Sequence, residues 1–256
     1  MNMCEFAGMN MYKIAGINVA MNCAGKMLKS RALKYQVREC EKTDGTEMDF
    51  VPHISIKVEA QQLKGMKKKY SYLTLDECEY ILTGFIFANS ILKFDGFCLH
   101  SSAVAFEKRA VLFSGPCGVG KSTHARLWQQ YFNENKVIII NDDKPVLRLI
   151  NNDFYVYGTP WSGKDDLNVN TQAILGAIVF LKQAKENHIR RLSSNEAVQM
   201  MIYQSLRPIY DRDKMIKLMI LLDNLIQKTP IYEMGCTISL DAVKMIYNEI
   251  GNTWHK

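Results

Sequence analysis

The chain has 256 residues, 48% of them hydrophobic, and carries a net charge of +6. That length holds one large domain, or a larger domain with a smaller companion, and the apolar content suffices for a packed core. No apolar run is long enough to span a bilayer, and the opening "MNMCEFAGMNMYKIAGINVAMNCAGK" lacks the basic start of a secretory signal. The seven cysteines are scattered with no C-x-x-C pair, which argues against a zinc site or a disulfide frame and for the reduced thiols of a cytoplasmic protein. The tight basic cluster Lys67-Lys68-Lys69 follows Gly65 and precedes an expected strand. It reads as a solvated turn, so neither nucleic acid nor membrane is the expected partner, whereas an acidic peptide or a phosphorylated substrate suits the basic surface.

Residues 1–72 read as a β-rich lead section. "YKIAGINVAM" and "HISIKVEA" alternate apolar and polar residues as half-buried strands do, and the polar "ECEKTDGTEMD" links them. "LTLDECEYILTGFIFANSILKF" predicts a helix with Leu75, Cys78, Ile81, Leu82, Phe85 and Ile86 on one stripe. "GFCLHSSAVAFEKRAVLFSG" predicts a hairpin with its turn near Glu107-Lys108-Arg109, and His100 lies on its first strand. Taken alone, His100 reads as a satisfied core or edge histidine.

That hairpin feeds "SGPCGVGKSTHARLWQQYF", whose Gly115 to Ser122 fits G-x-x-x-x-G-K-[ST]. Gly115, Gly118 and Gly120 free the backbone so that successive N–H groups, through Val119 to Thr123, can turn inward on an anion. A helix starting near Gly120 aims its positive end at the same place. In this pattern Lys121 reaches the β- and γ-phosphates and Ser122 ligates Mg²⁺. Strand, glycine loop and helix come in the required order, which makes nucleotide binding the firmest expectation. Cys117, inside the loop, reads as a small packing residue.

"VIIINDD" follows as a buried strand ending in Asp142 and Asp143, where a Mg²⁺ ligand or an acceptor of a hydroxyl proton would sit. Only 22 positions separate Asp143 from Lys121, room for one helix and one strand. "DFYVYGTPW" and "AILGAIVFLKQA" predict two more strands. Between them "YGTPWSGK" reads either as a turn with a buried Trp161 or as a second loop bringing Lys164 near the γ-phosphate. "HIRRLS" sets Arg190 and Arg191 after a strand, as surface charge or as the cation that neutralises a transition state. Helices over 195–206 and 213–228, a strand "PIYEMGC" and a helix "DAVKMIYNEI" close the chain. Strands do not alternate strictly with helices, so a simple doubly wound sheet is not expected.

The set "LH…SGPCGVGKS…NDD" resembles the catalytic core of bacterial HPr kinase/phosphorylase. Over the full length, "FDGFCLHSSAV", "INDDKPVLR" and "YGTPWSGK" look more like the shorter HPr-kinase-like proteins, some of which resemble tailoring kinases encoded beside ribosomally made peptides. The resemblance covers about residues 96–192 and implies an α/β fold: a phosphate-loop core of the HPr kinase/phosphoenolpyruvate carboxykinase kind over 73–256, with a small β-rich N-terminal section over 1–72. It puts His100 in place of the family's active-site histidine, Lys121 of its phosphate lysine, Ser122 of its Mg²⁺ serine, and Asp143 of the aspartate that accepts the seryl proton. HPr kinases assemble into oligomers; no residue here points to an assembly of its own.

The resulting expectation is a Mg²⁺-dependent kinase that moves the γ-phosphoryl of ATP onto a Ser or Thr hydroxyl of a peptide or small protein. Gly115, Gly118, Val119, Gly120, Lys121, Ser122 and Thr123 would hold the nucleotide. Ser122 and Asp142 would hold the metal. Asp143, His100, Lys121 and Lys164 would carry the transfer. The alternatives are a kinase of a free small molecule such as serine, and a non-catalytic nucleotide-binding adaptor for a peptide-modifying system.

Overall fold

The structure is a computed structural model and describes residues 8–37 and 51–254. The chain divides into two compact units, Met1–Ser90 and Ile91–Lys256.

In the first unit, β1 (Asn10–Ile14) and β2 (Ile17–Met21) form an antiparallel hairpin, and β3 (Ile54–Ile56) joins β2 in parallel. "YKIAGINVAM" is therefore two strands, not one. Ala15 and Gly16 both take positive φ, 52° and 73°, the two-residue turn whose twist matches a hairpin. The polar link at 39–49 lies outside the described residues. Three helices accompany the sheet: α1 (Lys26–Ala32), α2 (Ala60–Lys69) and α3 (Leu75–Ser90). Lys67, Lys68 and Lys69 form the last turn of α2 rather than a turn outside a helix, where cations suit the carbonyl end of the helix dipole.

The expected helix over 73–94 is α3, but it buries a different face. Cys78, Glu79, Thr83, Phe87 and Ala88 are inside, while Leu75, Ile81 and Phe85 are 55%, 42% and 49% exposed. The inward face carries a carboxylate for a reason. The helix α1 starts at Gly25 with no side-chain cap of its own and no acid in its first turn. Glu79 supplies the acceptors instead, taking the N–H groups of Ala24 at 2.9 Å and Gly25 at 2.8 Å, and Asp76 takes that of Lys26 at 3.2 Å. A short helix is thus capped from a neighbouring one.

The second unit opens with a 3-10 turn at Ile91–Phe94 and is built on one mixed sheet. Its strands are β4 (Gly96–Cys98), β5 (Ser101–Phe106), β6 (Arg109–Ser114), β7 (Val137–Asn141), β8 (Val146–Ile150), β9 (Asp153–Tyr157), β10 (Gln172–Gln183), β11 (His188–Arg191) and β12 (Ile231–Cys236). The spatial order is β4-β8-β9-β10-β6-β5-β7, with β12 also beside β10 and β11 outside β12. The expected hairpin is β5–β6, turning at Glu107 and Lys108 with φ of 49° and 69°. Its first strand is shorter than expected: Gly96–Cys98 is a separate strand paired with β8, and His100 lies in the bend between β4 and β5 rather than on the hairpin. Strand β8, "VLRLI", was not anticipated, and Arg190 and Arg191 lie within β11 rather than after a strand.

Strand β10 organises the unit. It runs parallel to β6 on one side; on the other, β9 pairs antiparallel with its start and β12 parallel with its end. Both faces of β10 are covered, so it reads as an almost continuous apolar run. Ile178 and Phe180 point into a core shared with Leu218, Leu221, Leu222 and Leu225 of α6 (Arg212–Lys228) and with Ala197 and Met201 of α5 (Ser194–Gln204). Ala177, Val179 and Leu181 point the other way, into a core with Ala125 and Trp128 of α4 (Lys121–Phe132) and Ala242, Val243 and Ile246 of α7 (Leu240–Trp254). Among the described residues no helix is long and apolar enough to cross a membrane, and Cys23, Cys78, Cys98, Cys117 and Cys236 are free thiols.

Candidate active site

The site is assembled where β6 ends. Gly115 has φ of 142°, and a Cβ there would lie 2.9 Å from the Leu181 carbonyl oxygen, so only glycine lets the loop lie this close to β10. Pro116, Cys117 and Gly118 are exposed; Val119 and Gly120 are half-buried. Helix α4 begins at Lys121, so the N–H groups of its first turn, which have no helical partner, open at the loop. The Lys121 side chain is buried and its Nζ donates to the Gly115 and Pro116 carbonyls, both at 3.0 Å. Burial lowers its pKa, against the opposing pull of Cys117, Asp143 and Asp142.

Strand β7 delivers the two acids to the same place. Asp142 is buried, accepts a hydrogen bond from Ser102 Oγ at 2.5 Å and is hydrogen-bonded to Ser122. Burial raises its carboxyl pKa, and the bonds from Ser102 and Ser122 hold it back. Asp143 Oδ1 lies 3.6 Å from His100 Nε2, and its other oxygen pairs with Lys144. His100 is gripped from behind by Gln204: its backbone N–H donates to the Gln204 carbonyl at 2.8 Å and its Nδ1 lies 3.1 Å from Gln204 Oε1. Burial and the charge of Lys121 lower the His100 pKa, with Asp143 and Gln204 opposing, which favours the neutral ring.

A second loop, residues 158–171, braces the acids. Asn141 Oδ1 accepts from the N–H groups of Asp143 at 3.0 Å and Lys144 at 2.8 Å, while its Nδ2 donates to the Thr159 carbonyl at 2.9 Å. Thr159 Oγ1 returns a bond to the Lys144 carbonyl at 3.0 Å. A Cβ on Gly158 would lie 2.0 Å from the Val169 carbonyl oxygen, which shows how tightly the loop closes on itself. Trp161 is buried, as the turn reading of "YGTPWSGK" requires. Gly163 packs against Asp142 and Asp143, the exposed Lys164 follows it, and Asp165 pairs with Arg126 of α4. Arg190 is engaged by Glu196 at 2.8 Å and Glu233 at 3.2 Å, on a strand three places from β6 in the sheet.

The glycine loop, Lys121, Ser122, Asp142, Asp143 and His100 therefore meet around one face. Four partners escaped the sequence reading: Ser102, Asn141, Thr159 and Gln204. Ser102 was within reach, since it stands two residues after His100, near the start of β5. Gln204 carried no signal, lying more than a hundred positions away at a helix end. The oxygens of Ser122 and Asp142 form a hard donor pair of the kind Mg²⁺ takes beside phosphate and water, which needs only one or two carboxylates. Among the described residues no group of three or more His, Cys, Asp or Glu side chains forms a closed metal cage.

No family model matches the chain, and no curated protein does. Among solved structures it is similar to the Hpr(Ser) kinase/phosphatase from Coxiella burnetii, with a TM-score of 0.37 and 12% identity over 62% of this chain and 99% of that one. A likeness of that size carries no argument, so the chemistry rests on the site itself.

Proposed function

We propose that this chain is an ATP-dependent phosphotransferase acting on the Ser or Thr hydroxyl of a peptide or small protein. The observation that carries the reading is the meeting of Lys121 and Ser122 with Asp142, Asp143 and His100. A phosphate held at the amino end of α4 would be met by the loop N–H groups, by Lys121 and by the helix dipole. Ser122 and Asp142 would hold Mg²⁺, which supplies charge neutralisation on the phosphates. Asp143 then stands where a hydroxyl approaching the γ-phosphate can give up its proton, with His100 alongside to orient the reacting groups. Lys164, one residue beyond Gly163, would be the cation that meets charge developing on the transferred group.

The exposure of Pro116 to Gly118, and of about a third of the His100 side chain, favours an acceptor presented on a polypeptide over a small molecule enclosed in a cavity. The test is transfer of label from γ-labelled ATP to candidate peptides and to free serine. Asp143→Asn should keep nucleotide affinity within about twofold and lower transfer by roughly 10²- to 10⁴-fold, the usual weight of a general base. Undiminished transfer by that variant removes Asp143 from the role, and label on free serine alone moves the acceptor to the small-molecule class.

A further inference from the structure

We propose that Gln204 is a positioning residue, holding His100 in the tautomer protonated at Nδ1 so that Nε2 faces Asp143 without a proton. The proposal rests on the roles given above to His100 and Asp143. Gln204 is the last residue of α5, and its place is fixed on both sides. The Ser205 N–H and Oγ both bond the Met201 carbonyl, at 3.0 and 2.7 Å, and the Leu206 N–H bonds the Cys98 carbonyl at 3.0 Å. Gln204 is only 8% exposed. From this anchored backbone it meets His100 twice, through its main-chain carbonyl at 2.8 Å and through Oε1 at 3.1 Å from Nδ1.

An amide oxygen only accepts, so a ring nitrogen bonded to it must carry the proton. A neutral imidazole has one N–H, and Nε2 is left with its lone pair. The groups facing this ring are the Asp143 carboxylate, the Lys121 and Lys144 ammonium groups and Gln204 itself. Lys144 already occupies one oxygen of Asp143. In the opposite tautomer an Nε2–H would turn toward the other oxygen, 3.6 Å away, and compete with an incoming hydroxyl for its lone pairs. Gln204 thus keeps Asp143 Oδ1 open by deciding which side of a neighbouring ring bears the hydrogen.

The experiment is ¹⁵N NMR of the full chain labelled at histidine, with the His100 signals assigned from a His100→Asn variant. Wild type at pH 7.5 should show His100 protonated at Nδ1. Gln204→Met, similar in shape but without the acceptor, should move His100 to a mixture or to the Nε2–H form and lower kcat tenfold or more with the nucleotide KM unchanged. Gln204→Glu should keep the Nδ1–H form and shift the pH at which the ring charges upward by a unit or more, carrying the pH profile of transfer with it. An Nε2–H tautomer in wild type, or a Gln204→Met spectrum like that of wild type, overturns the proposal. Should Gln204→Met fail to fold, the wild-type and Gln204→Glu spectra still decide. The spectra need no acceptor, so they succeed or fail separately from the phosphotransferase reading.

Discussion

His124 occupies the first turn of the helix that carries the candidate phosphate lysine, yet it faces inward. It is 3% exposed, its ring meets Phe113 edge-on at 4.6 Å, and neither its Nε2 nor the Trp128 Nε1 one turn later has a hydrogen-bond partner among the described residues. Burial lowers its pKa from 6.5 to about 4. The folded value lies below the unfolded one, so the fold favours the neutral ring. That contribution is complete above pH 6.5 and is lost as pH falls through the window from 6.5 to 4, amounting to roughly 3 kcal/mol at the low end. Urea unfolding of wild type and His124→Phe at pH 7 and pH 4 should show the stability difference between them moving in favour of the variant by about that amount. A difference that does not change with pH would place His124 in contact with water. The same residue explains a limit of reading motifs: "GKSTH" looks polar throughout, and nothing in the string tells Ser122, turned to Asp142, from His124, turned to Phe113.

At the level of elements, what could be read depended on whether burial left a period in the sequence. The β5–β6 hairpin, β7, β10, β12 and helices α4, α6 and α7 bury apolar faces at regular spacing, and each is visible. Helix α2 buries no residue at all, so there was no stripe to find. In α3 the apolar spacing misled, because its buried face serves α1 through Glu79 rather than through hydrocarbon alone. That arrangement makes a stability prediction. Glu79→Gln keeps one acceptor for the Ala24 and Gly25 amides and loses the charge-assisted bond, at a cost of about 1–2 kcal/mol. Hydrogen exchange of the Ala24, Gly25 and Lys26 amides should rise in step. Unchanged protection of those amides would mean that α1 is held by packing, not by its borrowed cap. The candidate site divides in the same way. Its glycine loop and acid pair are contiguous in sequence and legible, whereas Ser102, Thr159 and Gln204 gain meaning only when the sheet brings distant segments together.

On the scale of the whole second unit, the sheet is covered by α5 and α6 on one side and α4 and α7 on the other, and the candidate site opens at the loop-bearing end of β6. The outermost strand there is β7, and its free margin is not bare. The 158–171 loop pairs with its carboxyl end, through the Val169 N–H to the Ile140 carbonyl at 3.0 Å and the bridge between Asn141 and Asn168. One segment therefore does two things: it steadies Asp142 and Asp143, and it closes the carboxyl end of the β7 margin to other chains. Severing the backbone at Lys164, or inserting a flexible Gly-Ser stretch there, should release both functions together. The proposed phosphoryl transfer should drop at least tenfold, and light scattering should record concentration-dependent clumping that the intact protein does not show. A nicked chain that stays monodisperse would mean the strand margin is protected by its own twist, and that the covering segment exists for the acids alone.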